Sequence, residues 1–204
     1  MRCAVPVAPL RRAPDDAAEQ VTQALLGEPL RLTARRGEWV RVVTAYDYPG
    51  WVSVEHVEEG EGEFPPPAGT DPLMLARAYL GARYEWGGLT SAGIDCSGLV
   101  HIAYREAGVL VPRDSWQQEG AGTPVNPGAE RNGDLCTYGD GRADHIAFWL
   151  GAGRILHATG REDLGVVEER EPAELTARRR SVVRIASTPS QASDTSKAGL
   201  AKRR

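Results

Sequence analysis

The chain has 204 residues, 41% of them hydrophobic, and a formal net charge of −4. That apolar share supplies a real core for one ordinary domain or two small ones, which excludes global disorder. Lys and Arg are scattered along an acidic chain, so no broad basic face advertises a nucleic-acid partner.

From the N-terminus, residues 1–16 carry Pro6, Pro9 and Pro14 with three arginines, and lack the apolar run of about 7–15 residues that forms a signal-peptide core. No stretch reaches the roughly 20 apolar residues of a membrane span. The expectation is a cytoplasmic protein that meets no membrane. Cys3, Cys96 and Cys136 are odd in number and have no zinc-like spacing, which argues against a disulfide framework and against a metal site and leaves at least one free thiol.

Residues 1–57 read as a small all-β barrel of short strands, including 30–33, 39–45 and 50–54. In the second of these, Trp39, Arg41 and Val43 share one face and Val40, Val42 and Thr44 the other. Residues 58–70 mix acidic repulsion, glycine and a Pro65 to Pro67 run, which is linker chemistry. Asp71 and Pro72 then form an N-cap and N1 pair for a helix ending near Gly81. A second helix is predicted over 96–107, where Leu99, Val100, Ala103 and Ala107 make an apolar stripe between Asp95 and Gly108. Strands follow at 134–138, 144–150, 154–158, 165–169 and 181–186. Helices before sheet make residues 71–186 an α+β domain. The Ser- and Lys-rich tail, 187–204, has little to bury and is expected to be disordered.

A cysteine in the first turn of a helix meets unpaired N–H groups and the positive end of the helix dipole, both of which favour thiolate. Cys96 has that placement. Its partner in catalysis would be a histidine. His145 opens one strand and His157 lies in the next, so a hairpin brings both imidazoles to one end of the sheet as a base and its orienter. His56 and His101 read as structural.

Several ordered blocks carry a family resemblance. They are Tyr84 to Gly88 followed by Gly93 to Val100; Pro112, Arg113 and Asp114 with Gln117 and Gln118; Gly133 to Leu135; and Asp144 to Ala147 leading to Ile155 to Gly160. Together they resemble the NlpC/P60 cysteine peptidases. The runs Trp39 to Val42 and Tyr48 to Val52 resemble a bacterial SH3-like (SH3b) domain. The resemblance implies a papain-like core with Cys96 as nucleophile, His145 as base, His157 as third polar residue and Tyr84 near the oxyanion. It points to the branch of γ-D-glutamyl-L-diamino-acid endopeptidases, which cut murein peptides between D-glutamate and diaminopimelate and need no cofactor. In that branch the barrel caps the cleft and a free N-terminal L-Ala amine is held by acidic and tyrosine side chains. Carried over, the binding residues are Tyr84, Asp95, Ser97, Tyr48 and Glu19, with Glu28 the rival barrel carboxylate and Asp95 also readable as a plain N-cap. Trp116 departs from the family pattern. The implied role is recycling of small murein peptides; an exported wall hydrolase and a non-catalytic murein-binding protein are the alternatives.

Overall fold

The computed structural model describes residues 1–186, so the tail expected to be disordered lies outside the described residues. The N-terminal unit contains β1 (Val7–Arg11), β2 (Gln20–Leu25), β3 (Leu30–Arg36), β4 (Trp39–Thr44) and β5 (Pro49–Ser53). They form one antiparallel sheet in the order β2-β1-β5-β4-β3. A ribbon between Arg2–Cys3 and Val57–Glu58 ties the ends of the unit together. The two-residue side-chain period of a strand places Val40, Val42 and Thr44 of β4 in the interior, as the alternation predicts. Ala8, Leu10, Ala24 and Val52 complete that small core.

Residues 59–70 form neither helix nor strand. Their backbone still finds fixed partners: Glu63 N–H donates to Gly27 O at 2.9 Å, and Ala68 N–H to Glu106 O at 2.8 Å. The Arg105 guanidinium sits 5.4 Å from the centre of the Phe64 ring. The connection therefore follows a set path along both units.

The second unit begins with α1 (Pro72–Arg77), where Asp71 caps by accepting from Leu73 N–H at 3.0 Å. It continues through α2 (Cys96–Glu106) and α3 (Ser115–Ala121) to a sheet of β6 (Leu135–Tyr138), β7 (His145–Gly151), β8 (Arg154–Thr159), β9 (Gly165–Arg170) and β10 (Arg179–Arg184). The sheet is antiparallel, in the order β10-β6-β7-β8-β9, with the short strand Thr123–Pro124 outside β10. In this sheet the observed strand limits lie within a residue or two of the expected ones, whereas β3 runs three residues past the expected 30–33. The helices α3 and Ala173–Ala177 are additional to the elements read from the sequence.

Leu99, Val100, Ile102 and Ala103 of α2 bury against Ile146, Phe148, Leu156, Ala158 and Val166 on one face of the sheet. The opposite face carries Cys136, Tyr138, Ala147, Ile155 and Val182. No helix among the described residues is long and apolar enough to cross a membrane.

Candidate active site

Cys96 is the first residue of α2 because Asp95 ends the preceding extended segment and caps the helix. Asp95 Oδ1 accepts from Gly98 N–H at 2.6 Å. The loop before it is pressed onto the same turn. A Cβ on Gly98 would sit 2.3 Å from Gly88 O, so only glycine permits this approach. Gly87, at φ +74°, donates its N–H to Asp95 Oδ2 at 2.7 Å. Cys96 is thus fixed by glycine contacts and one carboxylate.

Arg113 supports the same carboxylate. Its Nη1 and Nη2 donate to Asp95 Oδ1 and Oδ2 at 2.9 and 2.7 Å, Nη1 reaches Ser97 Oγ at 2.9 Å, and Nε reaches Thr22 Oγ1 of β2 at 3.0 Å. The guanidinium is 1% exposed, so this is a bidentate buried pair with its donors used.

β7 and β8 bring the histidines together as expected. Phe148 pairs with Leu156, and extending that register sets His157 across from Ala147, so His145 and His157 lie diagonally on one face. His145 Nε2 is 2.7 Å from His157 Nδ1. His157 Nε2 is in turn 2.9 Å from Glu169 Oε1 of β9, and Glu169 is gripped by Arg161 Nη2 at 2.6 Å to each oxygen. Glu169 and Arg161 have no part in the sequence reading. The Cys96 thiol lies against the backbone N–H of Ile146, the residue after His145.

The electrostatics differ from the thiolate expected of a helix start. Burial, with the Asp95 charge behind it, pushes the Cys96 thiol up to about 12 against the opposing pull of the Ile146 and Ser97 N–H groups and Arg113. Burial likewise pushes His145 down to about 3, helped by His157 and Arg178, and lowers His157 despite Glu169. Burial therefore opposes the thiolate that the helix start favours, and disfavours the imidazolium beside it.

A pocket of about 180 Å³ opens on Cys96. Arg12, Glu19, Val21 and Tyr48 of the barrel line one side; Asp95, Ser97, Asp114, Trp116 and Arg142 belong to the second unit, as does Trp86. Glu19 accepts from Arg12 Nε at 2.6 Å and Trp86 Nε1 at 2.9 Å. Glu28 is elsewhere, buried in an ion pair with Arg105, so of the two barrel carboxylates only Glu19 lines this pocket. Tyr48 donates its hydroxyl to Asp114 Oδ1 at 3.0 Å.

Asp95 and Ser97 reach the pocket but are engaged with each other and with Arg113. Asp114, which the sequence reading passes over as a ligand, has no cationic side-chain partner among the described residues. Tyr84 is half-buried; burial and the Cys96 and Asp95 charges raise its phenol above the usual range, so it stays a donor. Among the described residues no group of three or more His, Cys, Asp or Glu side chains converges to hold a metal. The three cysteines are all free and buried.

The model of the NlpC/P60 family matches residues 81–181, and that of the bacterial dipeptidyl-peptidase SH3 domain matches residues 10–57. A γ-D-glutamyl-L-lysine dipeptidyl-peptidase of Bacillus cereus is 33% identical over 102 residues, which is 48% of this chain and 31% of that protein. The peptidoglycan endopeptidase RipB of Mycobacterium tuberculosis is 39% identical over 101 residues, 43% of this chain and 42% of that one. The chain thus matches less than half the length of these relatives. The crystal structure of an NlpC/P60 family protein from Bacillus cereus shares the fold, with a TM-score of 0.53 at 24% identity over 90% of this chain and 62% of that one.

Proposed function

This chain carries an NlpC/P60 family domain behind a bacterial SH3 domain, and from that premise we propose that it is a cysteine peptidase hydrolysing the γ-D-glutamyl-diaminopimelate bond of murein peptides that keep a free N-terminal L-Ala. The observation that carries the reading is the barrel wall of the Cys96 pocket. Tyr48 and Asp114 meet there at 3.0 Å, and Glu19, itself paired with Arg12, lines the same wall; the Asp114 carboxylate, with no cationic side-chain partner among the described residues, is the seat for an ammonium. A glycan-linked peptide offers no such ammonium and would leave these groups unmatched. Arg142, 5.9 Å from the centre of the Trp116 ring and without an ion-pair partner among the described residues, suits the extra carboxylate of diaminopimelate.

In the reaction, Cys96 Sγ attacks the γ-carbonyl carbon while its proton passes to His145. Since Nε2 of His145 is committed to His157, the accepting atom is Nδ1. The oxyanion faces the N–H groups at the start of α2 and the Tyr84 hydroxyl. The imidazolium then protonates the departing amine as the C–N bond breaks. Water, losing a proton to Nδ1, hydrolyses the thioester and restores the thiol. Tyr84, with its phenol held protonated, serves as a neutral donor throughout.

Recycling of released peptides in the cytoplasm is part of the proposal, and cell fractionation tests that part. The activity is tested by incubating the purified protein with L-Ala-γ-D-Glu-diaminopimelate, its N-acetylated form and intact peptidoglycan, with Cys96→Ser as control. The expected result is release of diaminopimelate from the free peptide only, by the wild type only. Equal release by wild type and Cys96→Ser, or none by either, overturns the reading. Preferential cleavage of intact peptidoglycan would instead favour a wall hydrolase.

A further inference from the structure

His145, His157 and Glu169 lie on three neighbouring strands. The β8–β9 register pairs His157 with Val167 and Ile155 with Glu169, so Glu169 is the diagonal neighbour of His157, as His145 is on the other side. The result is one row of hydrogen bonds, Glu169 Oε1 to His157 Nε2 at 2.9 Å and His157 Nδ1 to His145 Nε2 at 2.7 Å. A neutral imidazole has one donor nitrogen and one acceptor, so the row has a direction that its end group sets. Arg161 holds both oxygens of Glu169 at 2.6 Å, and its second nitrogen reaches Glu174 at 3.2 Å. A carboxylate beside a guanidinium is ionised and only accepts. His157 must then carry its proton on Nε2 and present a bare Nδ1, to which His145 donates from its own Nε2.

We propose that Glu169, pinned by Arg161, is a positioning residue that sets the tautomers of both histidines and thereby leaves Nδ1 of His145 bare to take the Cys96 proton. The role rests on the peptidase reading for its consequence in turnover, but the tautomers exist without substrate. When Sγ bonds to the carbonyl carbon and Nδ1 takes the thiol proton, Nε2–H of His145 still donates to His157. The new positive charge therefore has the Glu169 carboxylate behind it. Tyr138, whose ring lies 5.7 Å from that of His145, packs beside the row without replacing either bond.

The amide variant Glu169→Gln inverts the row. Arg161 only donates and so takes the amide oxygen, turning the NH₂ group toward His157 Nε2. That nitrogen must then be bare, His157 Nδ1 protonated, and His145 Nε2 an acceptor, which puts the His145 proton on Nδ1 where the thiol needs a base. Glu169→Asp keeps the sign of the end group and restores the direction.

The test is ¹⁵N NMR of histidine-labelled full chain, wild type and both variants, with turnover on L-Ala-γ-D-Glu-diaminopimelate and thermal melting alongside. The wild type and Glu169→Asp should show both histidines as Nε2–H tautomers, and Glu169→Gln both as Nδ1–H. kcat of Glu169→Gln should fall at least about 100-fold with KM unchanged, toward the roughly 10⁴-fold that a wrong tautomer on the base costs a serine protease. Glu169→Asp should recover at least a tenth of the wild-type kcat. Nε2–H tautomers retained in Glu169→Gln, or wild-type kcat in that variant, overturns the proposal. A wild type that shows both Nε2–H tautomers yet leaves every murein peptide intact would remove the functional reading and leave the tautomer lock standing.

Discussion

At Cys96 two influences oppose each other. The start of α2 offers N–H groups and a positive dipole end to a thiolate, while burial and the neighbouring Asp95 charge penalise it, and burial wins. His145 is held neutral by the same exclusion of water. The sign of both shifts favours one species, thiol beside bare imidazole, from below the ordinary histidine range to above the ordinary thiol range. kcat/KM should therefore stay level between about pH 6.5 and 8.5, the unperturbed values of the two groups, with its limbs outside that window. Iodoacetamide labelling of Cys96 should remain slow at pH 7 and accelerate only in alkali. A labelling rate already maximal at pH 5 would mean a resting ion pair and overturn this account. The placement of Cys96 at a helix start and of His145 beside His157 was legible because each stands in a recognisable block. Glu169 was not, since a glutamate in a strand declares no partner until the register is known. Adjacency in the chain drew attention to Asp95, but its oxygens are consumed by Arg113 and the helix cap. Asp114, distant in sequence, is the carboxylate that Tyr48 touches.

The elements around Cys96 are fastened by one buried cation. Arg113 joins the segment before α3 to the cap of α2, to Ser97 and to Thr22 on β2. Removing it leaves Asp95 buried without its counter-charge. Arg113→Leu should destabilise the fold by about 3–5 kcal/mol, read by denaturant titration, because a stranded buried charge costs far more than the pair contributes. A loss below about 1 kcal/mol would mean that water reaches Asp95 and that the pair is not a structural clamp. Periodicity revealed α2 and the major strands of the sheet, where apolar positions repeat cleanly. It passed over α3, although Asp114 and Gln117 form a capping box there, since a seven-residue helix with only Ser115 and Gln118 buried has no apolar stripe. Residues 59–70 form neither helix nor strand, and composition cannot reveal that the Glu63 and Ala68 amides find acceptors on both units.

At the scale of the molecule, barrel and second unit meet through Gln20, Thr22, Gln23, Glu28 and Tyr48. The pocket belongs to neither unit alone. Glu19→Gln and Tyr48→Phe should each raise KM for the free tripeptide about tenfold or more, the worth of a hydrogen bond to a charged group, with little change in kcat. Both should narrow the preference for the free over the N-acetylated peptide. Unchanged selectivity in both variants would show that the barrel does not read the amine. That the barrel would flank the cleft followed from the family resemblance; which carboxylate lines it depended on the fold, which sends Glu28 to Arg105 and Glu19 to the pocket wall.

The bond from Arg113 to Thr22 has a further consequence for how such a chain can be inherited. A side chain buried in one unit completes its donor set on a hydroxyl of the other. Exchanging the barrel for a foreign one would strand that donor and remove a wall of the pocket at once. Recombination that treats the two units as interchangeable cassettes would therefore fail here, and Thr22, Tyr48 and Arg113 have to change together.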